Sequence, residues 1–415
     1  MASDVSLLST YSNTTREAHM KKVAHSGNKE TWLFNHIKTD PVKHAGESLV
    51  NFSLKYQLPE SATYTSENAA HPSAVQPAYA KGQLYIKKLL AIMKYSEETV
   101  HLNKGNEAIV RDLLELRDGT FDVYTLLKDH SIHNAGNGIL ATCTSDDDAA
   151  GSFTVDSVRW LRIGMRIDTY TTGAAGTVTG DSLVITNINP TTLTVTVSGT
   201  STSVANTNNI YLEDTFTASV TIATTKFTNG VQTICSDADP YYGNFQGLDR
   251  DTYEYAKATV KYGTSAGTAE AFTLDRFYDL IELGVGNVGL SKLPKFAFGS
   301  PKCLRAVYNT FRDEQQPTVN MPATEGMPET LGFKYGSHEI RLYSDYRSAP
   351  NTLYLPNSNY MVKYNGGPEG WDSYNGSTIN RFEGYQAFYE VYRGWWNYGT
   401  TFPQSNLALF DITEA

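Results

Sequence analysis

The chain has 415 residues, of which 40% are hydrophobic and 19% charged, with a formal net charge of −10. That length accommodates two or three domains around a sizeable core, and that composition excludes a chain that is mostly disordered. The acidic balance excludes general nucleic-acid binding as the main task, because such binding works by replacing phosphate counterions with lysine and arginine.

Three cysteines, Cys143, Cys235 and Cys303, lie far apart and form no CxxC pair. An odd count at such spacing predicts reduced thiols in a cytoplasmic fold. No apolar run approaches the roughly 18 residues of a membrane span, and the N-terminus lacks the basic flank and apolar core of a secretory signal. Neither a membrane location nor export is expected.

Residues 1–48 are polar, with Trp32, Leu33, Phe34 and Ile37 as their main apolar group. They read as an N-terminal arm that docks on its own domain or on a neighbour. From residue 49 the period changes. Phe52, Leu54, Tyr56 and Leu58 alternate with Ser53, Lys55 and Gln57, which predicts a half-buried strand. Residues 59–77 are rich in Ala, Ser, Thr and Pro, and a second extended stretch occupies 83–95. Together, 49–95 predict a projecting β-arm, with Tyr64, Tyr79 and Tyr85 adding to its contact surface. An isolated two-stranded ribbon is marginal in water, so the arm should need a partner surface.

Residues 107–130 carry Ile109, Leu113, Leu116, Val123 and Leu127 at alternating steps of four and three, with only Thr120 breaking the row, widened by Val110, Leu114, Phe121 and Tyr124. Arg111, Asp112, Glu115, Asp118 and Asp122 line the other side. This is a long amphipathic helix of roughly 36 Å, and the region 96–144 is organised around it. Asn106 is the expected N-cap, and the residues from Asn134 to Gly136 the expected stop. Gly119 costs about 1 kcal/mol against alanine in mid-helix and marks a candidate point of bending.

The composition then shifts. Eighteen threonines fall within residues 169–225, and Asp181 is the only charged side chain from 170 to 212. Short strands at 183–188, 193–197 and 210–212, separated by Gly180-Asp181, Asn189-Pro190 and an Asn-rich turn, predict an inserted all-β module over 145–226. Residues 227–355 return to a mixed character. A helix is expected from 274 and a strand at 295–298. A second helix should open at Ser300-Pro301 and bury Leu304, Val307, Tyr308 and Phe311. The rest, 356–415, reads as strands and turns, following earlier ones at 339–343 and 352–355.

Chemical motifs are sparse. His130, His133 and Cys143 lack a fourth metal ligand, and histidines at a helix end more often serve the dipole there. Asp146-Asp147-Asp148 lacks the spaced ligands of a calcium loop. GVGNVG at 284–289 spells GxGxxG but follows a helix, so the phosphate geometry is wrong. Trp395-Trp396 reads as core plus rim and not as a sugar platform. No catalytic, cofactor-binding or metal-ligating residue is therefore expected, and the chain is read as a non-enzyme.

The order of parts resembles the major capsid proteins of tailed bacteriophages, the Hong Kong 97 capsid fold. The likeness is strongest at 84–97, at GNFQGLDR (243–250), at 295–311, and at 382–412 with Tyr392-Arg393 and Phe402-Pro403. The resemblance implies an α+β fold with a long spine helix, an extended β-arm, an axial domain over 227–355 and returning peripheral strands over 356–415. The inserted β-module departs from the minimal fold. The resemblance further implies self-assembly as hexamers and pentamers into an icosahedral head that encloses double-stranded DNA without sequence-specific binding. It places the protein in the virion, assembled in the host cytoplasm. Implied partners are a separate scaffolding protein, a portal and a decoration protein. Phe52, Leu54, Tyr56, Leu58, Tyr64, Tyr79 and Tyr85 would form the arm interface, and Lys55 or Lys81 would be the arm lysine where a relative forms a lysine–asparagine cross-link. Two other classes compete: a carbohydrate-binding β-rich surface protein, and a phage tail or baseplate component.

Overall fold

A computed structural model describes residues 33, 37–40, 48–57, 64, 76–96, 107–146, 151–172, 176–199, 204–216, 221–265, 267–314, 331–372, 380–381 and 387–414. Asn106, Leu58, Asp147 and Asp148 lie outside them.

The longest strand, Ala387–Thr400, carries the first sheet. Met361–Asn365 and Lys87–Ser96 both pair with it antiparallel, and Lys38–Thr39 adds a parallel edge. The spine helix, Glu107–His133, crosses this sheet. Its anchor is Tyr124, fully buried, with its ring edge-on to Tyr392 at 4.6 Å and to Trp396 at 6.1 Å. Gly394, in the middle of the long strand, makes room for it, because a Cβ there would overlap both the Tyr124 hydroxyl and the Trp396 ring.

The helix runs three residues past the expected end, and its buried face differs from the expected row. Leu116, Val123 and Leu127 are only half-buried and Phe121 is exposed, whereas Asp129, His130, Ile132 and His133 are buried with Tyr124. Ile109 and Leu113 lie on the helix. The chain turns away at Asn134, whose side-chain oxygen accepts the N–H groups of Asn137 and Gly138, and Gly136 takes the left-handed conformation.

The inserted module is a six-stranded antiparallel sheet. Its entry strand, Ala141–Thr142, lies beside its exit strand, Asn209–Leu212, so the chain enters and leaves at one place. That arrangement lets a module be inserted without breaking its host. Leu183, Ile185, Val195 and Ile210 fill its core. Threonine suits the outer positions because β-branched side chains fit a pleated surface, and hydroxyls there pair across strands, as Ser152 with Thr196 at 3.0 Å.

The central sheet runs in the order Thr259–Lys261, Leu407–Leu409, Leu353–Leu355, Phe296–Gly299, His338–Ser344, Leu331–Tyr335. Two helices pack on it, Leu274–Val288 and Pro301–Glu314. The second begins as expected: the Ser300 hydroxyl accepts the Cys303 N–H at 3.0 Å and Pro301 takes the first position. Cys303 and Val307 are its buried residues, with Leu304 and Tyr308 only half-buried, and the Phe311 side chain lies outside the description. The GxGxxG stretch lies within the first helix and its C-cap and not after it, with Gly284 closely packed against Leu407 and Leu293. All three cysteines are buried free thiols.

Candidate assembly surface

The two strands of the arm, Leu49–Gln57 and Ala78–Tyr85, pair antiparallel with one bulge near Tyr56. The stretch expected as one strand from 83 to 95 breaks at Ile86. Its second part, Lys87–Ser96, leaves the arm and joins the first sheet.

The arm's alternation gives it two faces. On the inner face, Val50 and Leu84 pack on Tyr364, and Leu54 packs on Leu248 and Ala256. Phe52 stacks on Tyr364 at 6.1 Å and Tyr56 on Tyr255 at 4.9 Å. The Phe52 ring also covers Gly82, its cross-strand partner, so closely that a Cβ on Gly82 would sit 2.6 Å from it. The base of the arm thus finds its partner surface within its own chain.

That surface includes the GNFQGLDR segment. Gln83 donates its N–H to the Gln246 carbonyl at 2.8 Å, and Gly247 takes a left-handed conformation directly beneath Gln83. The segment is held rigid by Arg250, which is 0% exposed. Its guanidinium donates to the carbonyls of Ala256 and Ala238 and lies 3.9 Å from the centre of the Phe245 ring. Burial lowers its pKa to about 10, and it stays charged at neutral pH. Asp239 accepts the backbone N–H groups of Phe245 and Arg250, and with Asp249 and Asp251 it forms a trio of carboxylates within ligand distance of one another.

The expected interface residues therefore separate. Leu54 is 3% exposed and directed at its own chain, Phe52 and Tyr85 are half-buried, and Leu58 is outside the description. Tyr79 at 58% exposure, Tyr56 at 49% and Tyr64 are open to solvent. Asn51, Ser53 and Lys81 are exposed with them. Under the arm lies a cleft of about 510 Å³ bordered by Leu54, Tyr56, Tyr255, Lys292 and Phe402. On the first sheet, Leu90 and Ile92 are exposed on the strand Lys87–Ser96, opposite Arg393 and Val391. The extended stretch 83–95 carried no sign of this in its sequence, since exposure there depends on which face the spine helix takes.

A buried polar junction fixes the spine helix to the rest. His133 Nε2 is 2.9 Å from Asp345 Oδ2, and Arg347 Nη1 is 2.5 Å from Asp129 Oδ2. Trp160 of the insert packs edge-on against His130 at 4.9 Å. Burial lowers the His130 pKa to about 4, so its ring is neutral, with Nε2 3.2 Å from the Ile139 carbonyl. His130 and His133 are thus structural, and Cys143 lies in the core of the insert. Asp146 accepts the Asn206 N–H at 2.8 Å, shaping a turn. Trp396 is buried and Trp395 half-buried.

No family model and no curated protein matches the sequence. Solved structures do. A chain of the cyanophage A-1(L) capsid asymmetric unit is 13% identical and superposes with a TM-score of 0.58, over 95% of this chain and 96% of that one. The capsid of a native GTA particle matches at 8% identity and a TM-score of 0.49, over 95% and 94%. The capsid of Myoviridae phage XM1 matches at 10% and 0.42, over 94% and 100%. From end to end, this chain is built on the fold of a phage-capsid chain.

Proposed function

We propose that the protein is the major capsid protein of a tailed bacteriophage, a non-enzymatic structural subunit of the Hong Kong 97 type. It self-assembles as hexamers and pentamers into an icosahedral shell around double-stranded DNA. The observation that carries this reading is the fold match to the cyanophage capsid chain, which spans 95% of one chain and 96% of the other.

The exposed tyrosines of the arm support the same reading. Tyr56 and Tyr79 offer large, stiff contact area at low entropic cost, and such side chains are enriched at the centres of interfaces. Each contact can be weak, because closed symmetry repeats it many times over a shell. A subunit of net charge −10 suits a container whose DNA must move in and out, since tight phosphate binding would hold it. Scaffolding protein, portal and a decoration protein would be its partners, and the virion its final location, after assembly in the host cytoplasm.

Electron microscopy of the protein expressed with its neighbouring genes tests this. Icosahedral shells are expected, and tubes or persistent monomers would overturn it. A chain lacking residues 59–77 should fold and assemble poorly, and normal assembly would remove the arm from the mechanism.

A further inference from the structure

The spine helix, the strand Lys87–Ser96 and residues of the loop leading out of the insert border an open cavity of about 440 Å³. Its walls are largely apolar, with Leu89, Leu127, Leu140, Leu212, Phe227 and Trp396 among them. Among the described residues no aspartate or glutamate lines it, although acidic residues outnumber basic ones by 44 to 34 in the chain. The lysines are Lys87, Lys88 and Lys226. Two of them are directed elsewhere: the Lys88 amine sits 5.7 Å over the Trp395 ring, and the exposed Lys226 donates to the Asp214 carbonyl at 2.8 Å.

Lys87 is different. It is 8% exposed, and its amine donates to the Ile222 carbonyl at 2.9 Å and the Ala223 carbonyl at 3.4 Å. The Tyr85 ring lies 5.7 Å away. An ammonium has three N–H donors, and those two carbonyls occupy two. A buried charge is normally paired with an opposite one, because carbonyl dipoles alone repay little of the lost hydration. Among the described residues no carboxylate pairs with Lys87, which lies beside a pocket of ligand size.

We infer that this cavity binds a small amphiphilic carboxylate, a medium-chain alkanoate in chemical class, with its carboxylate on Lys87 Nζ and its alkyl body against the apolar walls. An anion there completes a charge-assisted hydrogen bond with the buried amine. It also ties the strand and the closing loop of the insert to the spine helix. The inference stands on the cavity and its buried amine, independently of the capsid reading.

The test titrates octanoate, octanol and acetate into the full chain, with the Lys87 amine followed by NMR of isotopically labelled lysine methylene groups. Burial alone holds that amine at about 8. Bound octanoate should raise its pKa, since the anion favours the charged amine, and octanol and acetate should bind at least about tenfold more weakly. Lys87→Met should abolish the preference for octanoate over octanol. No octanoate binding, equal binding of octanoate and octanol to the wild type, or an unmoved Lys87 titration would overturn the inference. The wild-type comparison decides the matter even if the variant fails to fold.

Discussion

His133 Nε2 lies 2.9 Å from Asp345 Oδ2, and this contact joins the last turn of the spine helix to a loop of the central domain 212 residues later. Asp345 also accepts the Arg347 N–H through Oδ1 at 2.9 Å and anchors its own N–H on the Gly299 carbonyl. Asp129, Arg347 and Arg159 complete the surroundings, with the Arg159 guanidinium donating to the Ser348 carbonyl. Helix, insert and central domain meet at this cluster.

The cluster makes stability depend on pH. Burial works to lower the His133 pKa, but the Asp345 hydrogen bond and the charges of Asp345 and Asp129 outweigh it, and the pKa is raised. A raised histidine pKa contributes stability that is fully present below its unfolded value of about 6.5 and is lost as pH rises through the folded value. Asp345 works in the opposite sense. Burial would raise its pKa, but His133 and Arg347 hold it lowered, so its contribution is lost only as pH falls through that low value. The difference in unfolding free energy between wild type and His133→Gln should therefore be largest under mildly acid conditions and shrink under alkaline ones. Urea titrations across that range check it, and a gap independent of pH would show that His133 is neutral.

Arg347 and Asp129 form a pair with side chains only 5% and 2% exposed. Removing Arg347 leaves Asp129 with His133, 3.8 Å away, as its remaining opposite charge, so Arg347→Met should cost about 3 kcal/mol, the low end for breaking a buried pair. Adding Asp129→Asn should recover part of that loss. A double-mutant cycle with no coupling would count against the pair.

Gly82 is placed under the Phe52 ring, 2.6 Å from where a Cβ would sit. Gly82→Ala should loosen the arm by about 1 kcal/mol, the low end for overpacking because a ring edge can move. Amide exchange should quicken along Leu49–Gln57 while Leu353–Leu355 stays protected. Phe52→Leu in the same chain should restore the arm.

Gly119 has no atom within 4 Å of an added Cβ, so alanine fits there. Gly119→Ala should stabilise the subunit by about 1 kcal/mol, seen as a higher melting temperature. If the helix bends at Gly119 in a shell, the same variant should change shell size or slow assembly. An unchanged shell would place the bending elsewhere.

The N-cap at Ser300, the long helix from 107 and the threonine-rich insert are legible in the sequence because each rests on local chemistry: a capping hydroxyl, a 3.6-residue period, and β-branched residues between turns. The break at Ile86 is not legible. Residues 83–95 read as one extended stretch without a glycine or proline, and only the choice of partners, Leu49–Gln57 before the break and Ala387–Thr400 after it, divides them.

The same limit applies to side chains. His130 and His133 read as histidines serving the dipole at a helix end, yet with Asp129 they are buried because Arg347, Asp345 and Trp160 arrive from elsewhere in the chain. Leu54 and Phe52 read as a surface awaiting a neighbour, but Leu248 and Tyr364 already cover them. By itself the sequence determined the long helix from 107, the helix start at Ser300 and the short strands among the threonines, since those follow from residues a few positions apart. Which faces are buried, which charges are paired and which tyrosines stay free for assembly were decided by the tertiary structure. Burial and pairing belong to contacts between distant residues, and those exist only once the chain has closed on itself.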